Sequence, residues 1–465
     1  MSTRVERDTL GEVHVPREAL WGAQTQRAVE NFPISGLHAF PAFIRATVRV
    51  KRAAAVANAQ AGRLAVDVRD AIIGAADAIL EGAHHDAFVV DVFQAGAGTS
   101  HNMNANEVIA NLAEELLGGT RGEYARVNPN DHVNMAQSTN DVTPTSIRLA
   151  LLELTAPLCE ELERLADAFA AKATEYADCV KPGRTHLQDA VPMTFGQEFG
   201  GWAARMRSVA ARTRAGRVEL CELGIGGTAA GTGLNADPEF RGRVCALLAE
   251  WTGEPIVPAA DLFASMQSTA AFARISSEMR TAAIELSSVA NDIRLMVSGP
   301  RTGFGELVIP AVQPGSSIMP GKINPSIAEM VDQVCYQVIG NDTAVMLGAQ
   351  AGQLELNVMM PGMNFALELS ATILTSATRV FRERCVEGMR VDEARAKELL
   401  DASPPLLVTA LAPHIGYARS AALVKRALAE KRSLMEVALE EKVLPEADLR
   451  RVLDPLPMTR GGVQA

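Results

Sequence analysis

The chain is short of aromatic residues, which fill 5% of its 465 positions, and it holds only six cysteines. Cys159, Cys179, Cys221, Cys245, Cys335 and Cys385 are scattered, with no C-x-x-C pair among them. That spacing suggests neither a disulfide framework nor a zinc site, and makes buried thiols in a reducing cytosol the expectation. Basic residues are in deficit, which leaves a net charge of −11. That charge argues against nucleic acid as a partner, because binding its phosphates takes a basic face. No apolar run is long enough to span a membrane. The opening MSTRVERDTLGEV is charged and has no apolar segment of the kind a secretion signal carries. A cytoplasmic protein with no membrane partner is expected. Missing too are a nucleotide-binding glycine fingerprint, a metal-ligand cluster, a paired-carboxylate set and a serine-hydrolase motif. No cofactor and no metal are expected.

What the chain has in plenty is alanine and leucine, in a composition 48% apolar and 21% charged. Ala, Leu, Glu and Arg lose little side-chain freedom in a helix, so a mainly all-α fold is expected. The length allows two or three domains. The first stretch, about 40 residues rich in Pro, Gly and Asn, reads as an extended or loop-rich arm. Helical spacing then runs over 43–81, and a short helix is expected over 107–117, before Gly118-Gly119. Leu151, Leu154, Leu158, Leu162, Leu165 and Phe169 recur at spacings of three and four, the core stripe of a helix of about 30 residues. Further rods are expected over 191–223, 265–297, 326–347 and 355–387, the last kinked at Pro361. Rods of about 25–35 residues exceed the usual length two- to threefold and normally pack into bundles, often between subunits as well. After Arg390 the helices shorten, over 391–400, 417–429 and 434–441, as in a small C-terminal helical domain.

Four polar islands interrupt the rods. Gly96-Ala-Gly-Thr-Ser-His-Asn-Met-Asn104 offers glycines for close backbone approach and the hydroxyls of Thr99 and Ser100. Residues 128–141 are mostly Asn, Asp, Ser, Thr and Gln, far more than the single residue a helix cap requires. The surplus fits a hydrogen-bonding wall at a helix N-terminus, which favours carboxylates. Gly183-Arg-Thr-His-Leu-Gln-Asp189 sets His186 beside Thr185 in a connection between two rods. A lone histidine is more often structural than catalytic, but the loop setting favours function here. The fourth island, Gly315-Ser-Ser-Ile-Met-Pro-Gly-Lys-Ile-Asn324, has no hydrophobic period. Its Gly315, Pro320 and Gly321 mark a loop, and its hydroxyls and Lys322 suit an anion. Such a donor set fits a small dicarboxylate, and could also stabilise the aci-carboxylate formed when a proton leaves the carbon beside a carboxylate.

The Ser-Ser loop, together with GTSHNMNANEV, NPNDHVN, QSTND, GRTHLQDAVPM and Gly231–Asn235 (GTGLN), resembles the fumarase/aspartase superfamily over nearly the whole chain. The resemblance implies three domains per subunit, here 1–138, 139–390 and 391–465. It also implies a homotetramer built on a twenty-helix bundle, with each active site assembled from three subunits. Carried over by position, Ser316 resembles the general base. Thr99, Ser138, Thr139 and Ser317 resemble the hydroxyls that hold the carboxylate next to the abstracted proton. Thr185, Lys322 and Asn324 resemble the clamp on the other carboxylate, and Asn140 and His186 the leaving-group side. A serine base is chemically awkward at neutral pH, and would need loop closure, backbone amides and Lys322 to activate it.

Two branches share these motifs, the aspartate ammonia-lyases and the class II fumarases. GAGTS at Gly96–Ser100, STND at Ser138–Asp141 and GQLELN at Gly352–Asn357 resemble the ammonia-lyases. The Trp21-Gly-Ala-Gln segment and Gly226-Gly227-Thr228 resemble the fumarases, and Met360 departs from both, since aspartases commonly carry Glu there. The first set weighs more, because Thr99-Ser100 and Ser138-Thr139 are the positions expected to touch the ligand, whereas Trp21 reads as packing. A non-catalytic helical tetramer, like the lens proteins on this scaffold, is the remaining alternative. Retention of Ser316, Lys322, Asn324, Asn140 and His186 together argues against it.

Overall fold

The leucine stripe read from the sequence is the buried stripe of the computed structural model, which describes residues 2–462. Leu151, Leu158, Leu162, Leu165 and Phe169 are fully buried along one helix. The chain begins with strands β1 (Thr3–Asp8) and β2 (Gly11–Pro16) and helices α1 (Ala23–Asn31), α2 (Pro41–Gln60), α3 (Val66–Leu80) and α4 (Thr99–Leu116). The 37-residue α5 (Thr139–Glu175) follows, then strands β3 (Val180–Thr185) and β4 (Gln188–Thr194). Next come α6 (Phe195–Arg217), α7 (Phe240–Thr252), α8 (Leu262–Gln267), α9 (Ala270–Met296), α10 (Ser326–Gln350) and α11 (Met360–Phe381). Short helices close the chain, among them Glu393–Asp401 and Tyr417–Glu430. Sheet is confined to four two-stranded pairings among the described residues, so the fold is mainly α-helical.

Several boundaries differ from the sequence reading, each for a physical reason. The N-terminal arm contains an antiparallel hairpin, β1 on β2, where Val13 and Val15 alternate with exposed residues and are buried. Helix α4 starts at Thr99 instead of 107, because its polar first turns are buried and partnered. Residues 188–194 are a strand and not the start of α6, so the expected rod from 191 begins at Phe195. Pro361 falls in the first turn of α11, where a missing N–H is harmless, so it does not kink the helix interior.

By internal contacts the chain forms two units. The first takes residues up to Cys159, with Ala211–Ala283 and Cys335–Thr375. One core cluster there packs Val48, Ile72, Ile79, Val108 and Ile109 from α2, α3 and α4. A second packs the other side of α2 with Val142, Leu149, Phe240, Val244 and Leu248. A clamp also joins α9 to α10, where Asp342 accepts from Ser276 and Arg280, both at 2.7 Å. The second unit takes Glu160–Ala210, Ile284–Val334 and the residues from Ser376 onward. Its own α9–α10 clamp is Asp332, which accepts from Ser287 and Arg294, both at 2.7 Å. The C-terminal helices enclose a small core of Leu411, Leu423, Leu434, Val437 and Leu449. No helix among the described residues is long and apolar enough to cross a membrane.

Candidate active site

In the first unit the expected wall is built from the starts of two helices. Gly98 precedes α4 at φ +84°, and a Cβ there would meet the Thr143 side chain at 3.0 Å, so glycine is needed for both reasons. The turn leaves Thr99 exposed as the first residue of α4. Ser138 caps α5. Its hydroxyl accepts from the Asn140 N–H at 3.2 Å, and its own N–H donates to Asp141 Oδ1 at 2.9 Å, a reciprocal capping arrangement. The Thr139 hydroxyl accepts from Asn102 Nδ2 at 3.1 Å, and Asn140 donates to the Ala229 carbonyl at 2.8 Å. Ser138, Thr139 and Asn140 stay partly exposed beside the α5 N-terminus, whose positive dipole end favours an anion.

This wall is braced from behind by a buried polar network. Asp141 is fully buried and also accepts the backbone N–H groups of Gly226 at 3.0 Å and Thr228 at 2.9 Å. Asn134 Oδ1 gathers Lys51 Nζ at 2.8 Å, Asn106 Nδ2 at 3.2 Å and Asn102 Nδ2 at 3.3 Å. Burial pushes the Lys51 ammonium pKa down and the Asp141 carboxyl pKa up, while each opposes the other's shift through its charge. The sequence reading did not single out Lys51. The signal was available, because Arg45, Arg49 and Arg52 recur at the spacing of one face of α2, whereas Lys51 falls on another face among Val48, Ala54 and Ala55 and is fully buried. An unexplained cation inside an apolar stripe calls for a buried partner.

In the second unit the histidine island is the tip of the β3–β4 hairpin. Thr185 pairs with Gln188, and the two residues between them form the turn. His186 and Leu187 take φ +56° and +58°, the left-handed region that a two-residue hairpin turn demands and that Asn-Gly normally fills. Thr185 and His186 are thereby held out in solvent. The base of the hairpin is anchored by Arg184, bidentate to the fully buried Glu306 at 2.9 and 3.0 Å and lying over the Phe304 ring.

The Ser-Ser island is a closed loop. The Gly315 N–H donates to the Lys322 carbonyl at 2.9 Å, and Asn324 Nδ2 donates to the Gly315 carbonyl at 2.7 Å. A Cβ on Gly315 would sit 2.2 Å from that Lys322 oxygen, so no other residue fits. Inside the loop the Ser316 hydroxyl oxygen accepts two backbone N–H groups, from Met319 at 3.0 Å and Ile318 at 3.2 Å. Ser317 and Lys322 are exposed. Among the described residues no group of three or more His, Cys, Asp or Glu could hold a metal ion.

The ten expected residues therefore fall into two sets. Thr99, Ser138, Thr139 and Asn140 belong to the first unit, whereas Thr185, His186, Ser316, Ser317, Lys322 and Asn324 belong to the second. Within the first set, Ser138, Thr139 and Asn140 are adjacent at one helix start. Within the second, Ser316, Ser317, Lys322 and Asn324 share one loop, and Thr185 and His186 share one hairpin tip.

A family model described as lyase matches residues 11–340, and one described as fumarase C C-terminus matches residues 407–460. An aspartate ammonia-lyase of Pseudomonas aeruginosa is 48% identical, covering 98% of this chain and 96% of its own length. One from Bacillus subtilis is 45% identical, covering 99% and 97%. A class II fumarate hydratase of Ralstonia nicotianae is 47% identical, covering 94% and 95%. Among solved structures, a Brucella melitensis protein described as fumarate lyase:delta crystallin, bound to cobalt, has a TM-score of 0.95 at 47% identity, covering 98% of this chain and 100% of its own. The class II fumarase of Schistosoma mansoni has a TM-score of 0.95 at 36% identity, covering 98% and 99%.

Proposed function

The chain belongs to the fumarase/aspartase superfamily of lyases, and from that premise we propose that it catalyses the reversible deamination of L-aspartate to fumarate and ammonia. The observation that carries the chemistry is the pair of backbone N–H groups donating to the Ser316 oxygen. An isolated serine is too weak an acid to serve as a base. Two fixed donors favour its ionised form, and Lys322 on the same loop adds positive charge. In the proposed reaction the Ser316 alkoxide takes a proton from the carbon beside one carboxylate. The C–H electron pair moves into that carboxylate, giving the aci-carboxylate. The hydroxyls of Thr99, Ser138, Thr139 and Ser317 stabilise its second charge. That pair then returns to form the C=C bond as the C–N bond breaks and ammonia leaves. Thr185, Lys322 and Asn324 hold the other carboxylate, and Asn140 and His186 line the leaving-group side. The working form is a cytoplasmic homotetramer whose subunits divide into 1–138, 139–390 and 391–465 and share sites three at a time.

The alternative is the class II fumarase reaction, fumarate plus water to L-malate. The Trp21 and Gly226-Gly227-Thr228 segments favour it, as does the 47% identity to a fumarate hydratase. Trp21 carries little of this weight, because it packs against the N-terminal cores and donates to Gln26 at 3.1 Å. Purified protein offered L-aspartate and L-malate separately, with fumarate followed by ultraviolet absorbance, decides between them. Fumarate from aspartate is expected, and fumarate from malate alone would sink the ammonia-lyase reading. Ser316→Ala should lower kcat by about 10²–10⁴-fold with the oligomer intact. Full activity in that variant would remove Ser316 from the mechanism.

A further inference from the structure

Behind the Gly98 turn, within the first unit, lies a cavity of about 20 Å³. That is room for one water-sized particle. Phe40, Phe43 and Phe365 make its lining largely apolar. Polar side chains interrupt it: Gln94, His101 and Thr143 on one side and, one turn apart on α11, Asn364 and Glu368. Glu368 is completely buried. Among the described residues no donor reaches either of its carboxylate oxygens, nor the Oδ1 of Asn364. Three acceptor oxygens without donors thus belong to one small cavity.

A buried carboxylate in this position must be matched by a positive charge or lose its own. Among the described residues none supplies a free match. Arg45 is the cation that acts on Glu368, but it is already paired with Glu153, which also takes Arg49 at 2.7 Å. The charge on Glu153 opposes that of Arg45 at Glu368. His101, which also lines the cavity, is kept neutral by burial and by Lys51. Protonating Glu368 would supply one O–H and still leave an oxygen unmet.

We propose that the Glu368–Asn364 cavity is a binding site for a desolvated monovalent cation of ammonium or potassium size. The three oxygens supply its ligands, and the phenylalanine rings around it add the attraction that aromatic faces exert on cations. A magnesium or calcium ion does not suit the site, since the single carboxylate would leave a desolvated dication half-neutralised. Burial pushes the Glu368 pKa up, so uptake of the cation releases the carboxyl proton to solvent and strengthens as pH rises. The site uses none of the residues proposed for catalysis, and so does not depend on which reaction the enzyme performs.

The test is the melting temperature of the intact protein at about pH 8, in choline, potassium and ammonium chlorides at one ionic strength, since a ligand bound only by the folded state raises it. A rise of a few degrees over choline in potassium or ammonium is expected for the wild type, with the difference abolished in Glu368→Gln. Equal values in all three salts overturn the proposal. So does a Glu368→Gln variant that keeps the full rise, which would place the ammonium elsewhere, as at the catalytic site. If that variant fails to fold, wild-type crystals soaked in rubidium decide. An anomalous peak between Glu368 and Asn364 supports the site, and its absence overturns it.

Discussion

His101 shows how much of this molecule's pH response rests on single buried groups. Its ring stacks on Phe43 with centroids 4.3 Å apart, and its Nε2 lies 3.1 Å from the Thr47 hydroxyl. Burial, and then the charge of Lys51, pull its pKa from 6.5 down to about 3. Between those two values the unfolded chain holds a proton that the folded chain does not, so stability falls as pH drops through that window. The slope from this residue is at most about 1.4 kcal/mol per pH unit. Urea midpoints of wild type and His101→Gln from neutral pH downward should therefore diverge, with the variant losing less stability on acidification. Parallel curves would show that His101 is not held neutral. The sequence placed His101 in a polar run, but whether a histidine there faces ligand or core depends on helix phase. That phase is set by the start of α4 at Thr99, which turns His101 into the core.

The β3–β4 hairpin makes the corresponding case for an element. Its residues were legible as a polar interruption, but 191–194 read as the start of a helix, because Val191-Pro192-Met193 carries no strict alternation. The pairing of Val180 with Thr194 is a tertiary choice, fixed by the Arg184–Glu306 and Lys181–Glu198 ion pairs that no local pattern reports. The interiors of the long helices, by contrast, were legible even where their ends were not, because a stripe such as Ile275, Met279, Leu286, Val289 and Ile293 has one solution, and all five are buried. The hairpin tip carries a conformational cost. Leu187 is 65% exposed and left-handed, so its side chain gains little packing for the strained backbone. Leu187→Gly should raise stability by about 1 kcal/mol, seen as a higher urea midpoint with unchanged slope. A fall instead would mean that the leucine is covered in the assembled protein, and that the strain serves to present it.

At the scale of the whole molecule, helices α5, α6, α9, α10 and α11 each contribute residues to both units. Some of their faces remain apolar and exposed in the single chain, including Ile284 on α9 and Tyr336, Met346 and Leu347 on α10. Rods of this length with uncovered apolar faces are what a bundle shared between subunits requires. The residues proposed for catalysis divide in the same way, with Thr139 in the first unit and Ser316 in the second. If different subunits supply Thr139 and Ser316 to one site, two inactive chains can repair each other. Ser316→Ala and Thr139→Val chains, each inactive alone, would be co-expressed in equal amounts and assemble at random. A site then draws its serine from an intact chain half the time and its threonine from an intact chain half the time. About a quarter of sites would carry both, so about a quarter of wild-type activity should return. If one chain supplied both residues, no mixed site would be whole and activity would stay at the level of the separate variants. The recovered fraction, measured against the total tetramer concentration, therefore distinguishes a site shared between subunits from one contained in a single chain.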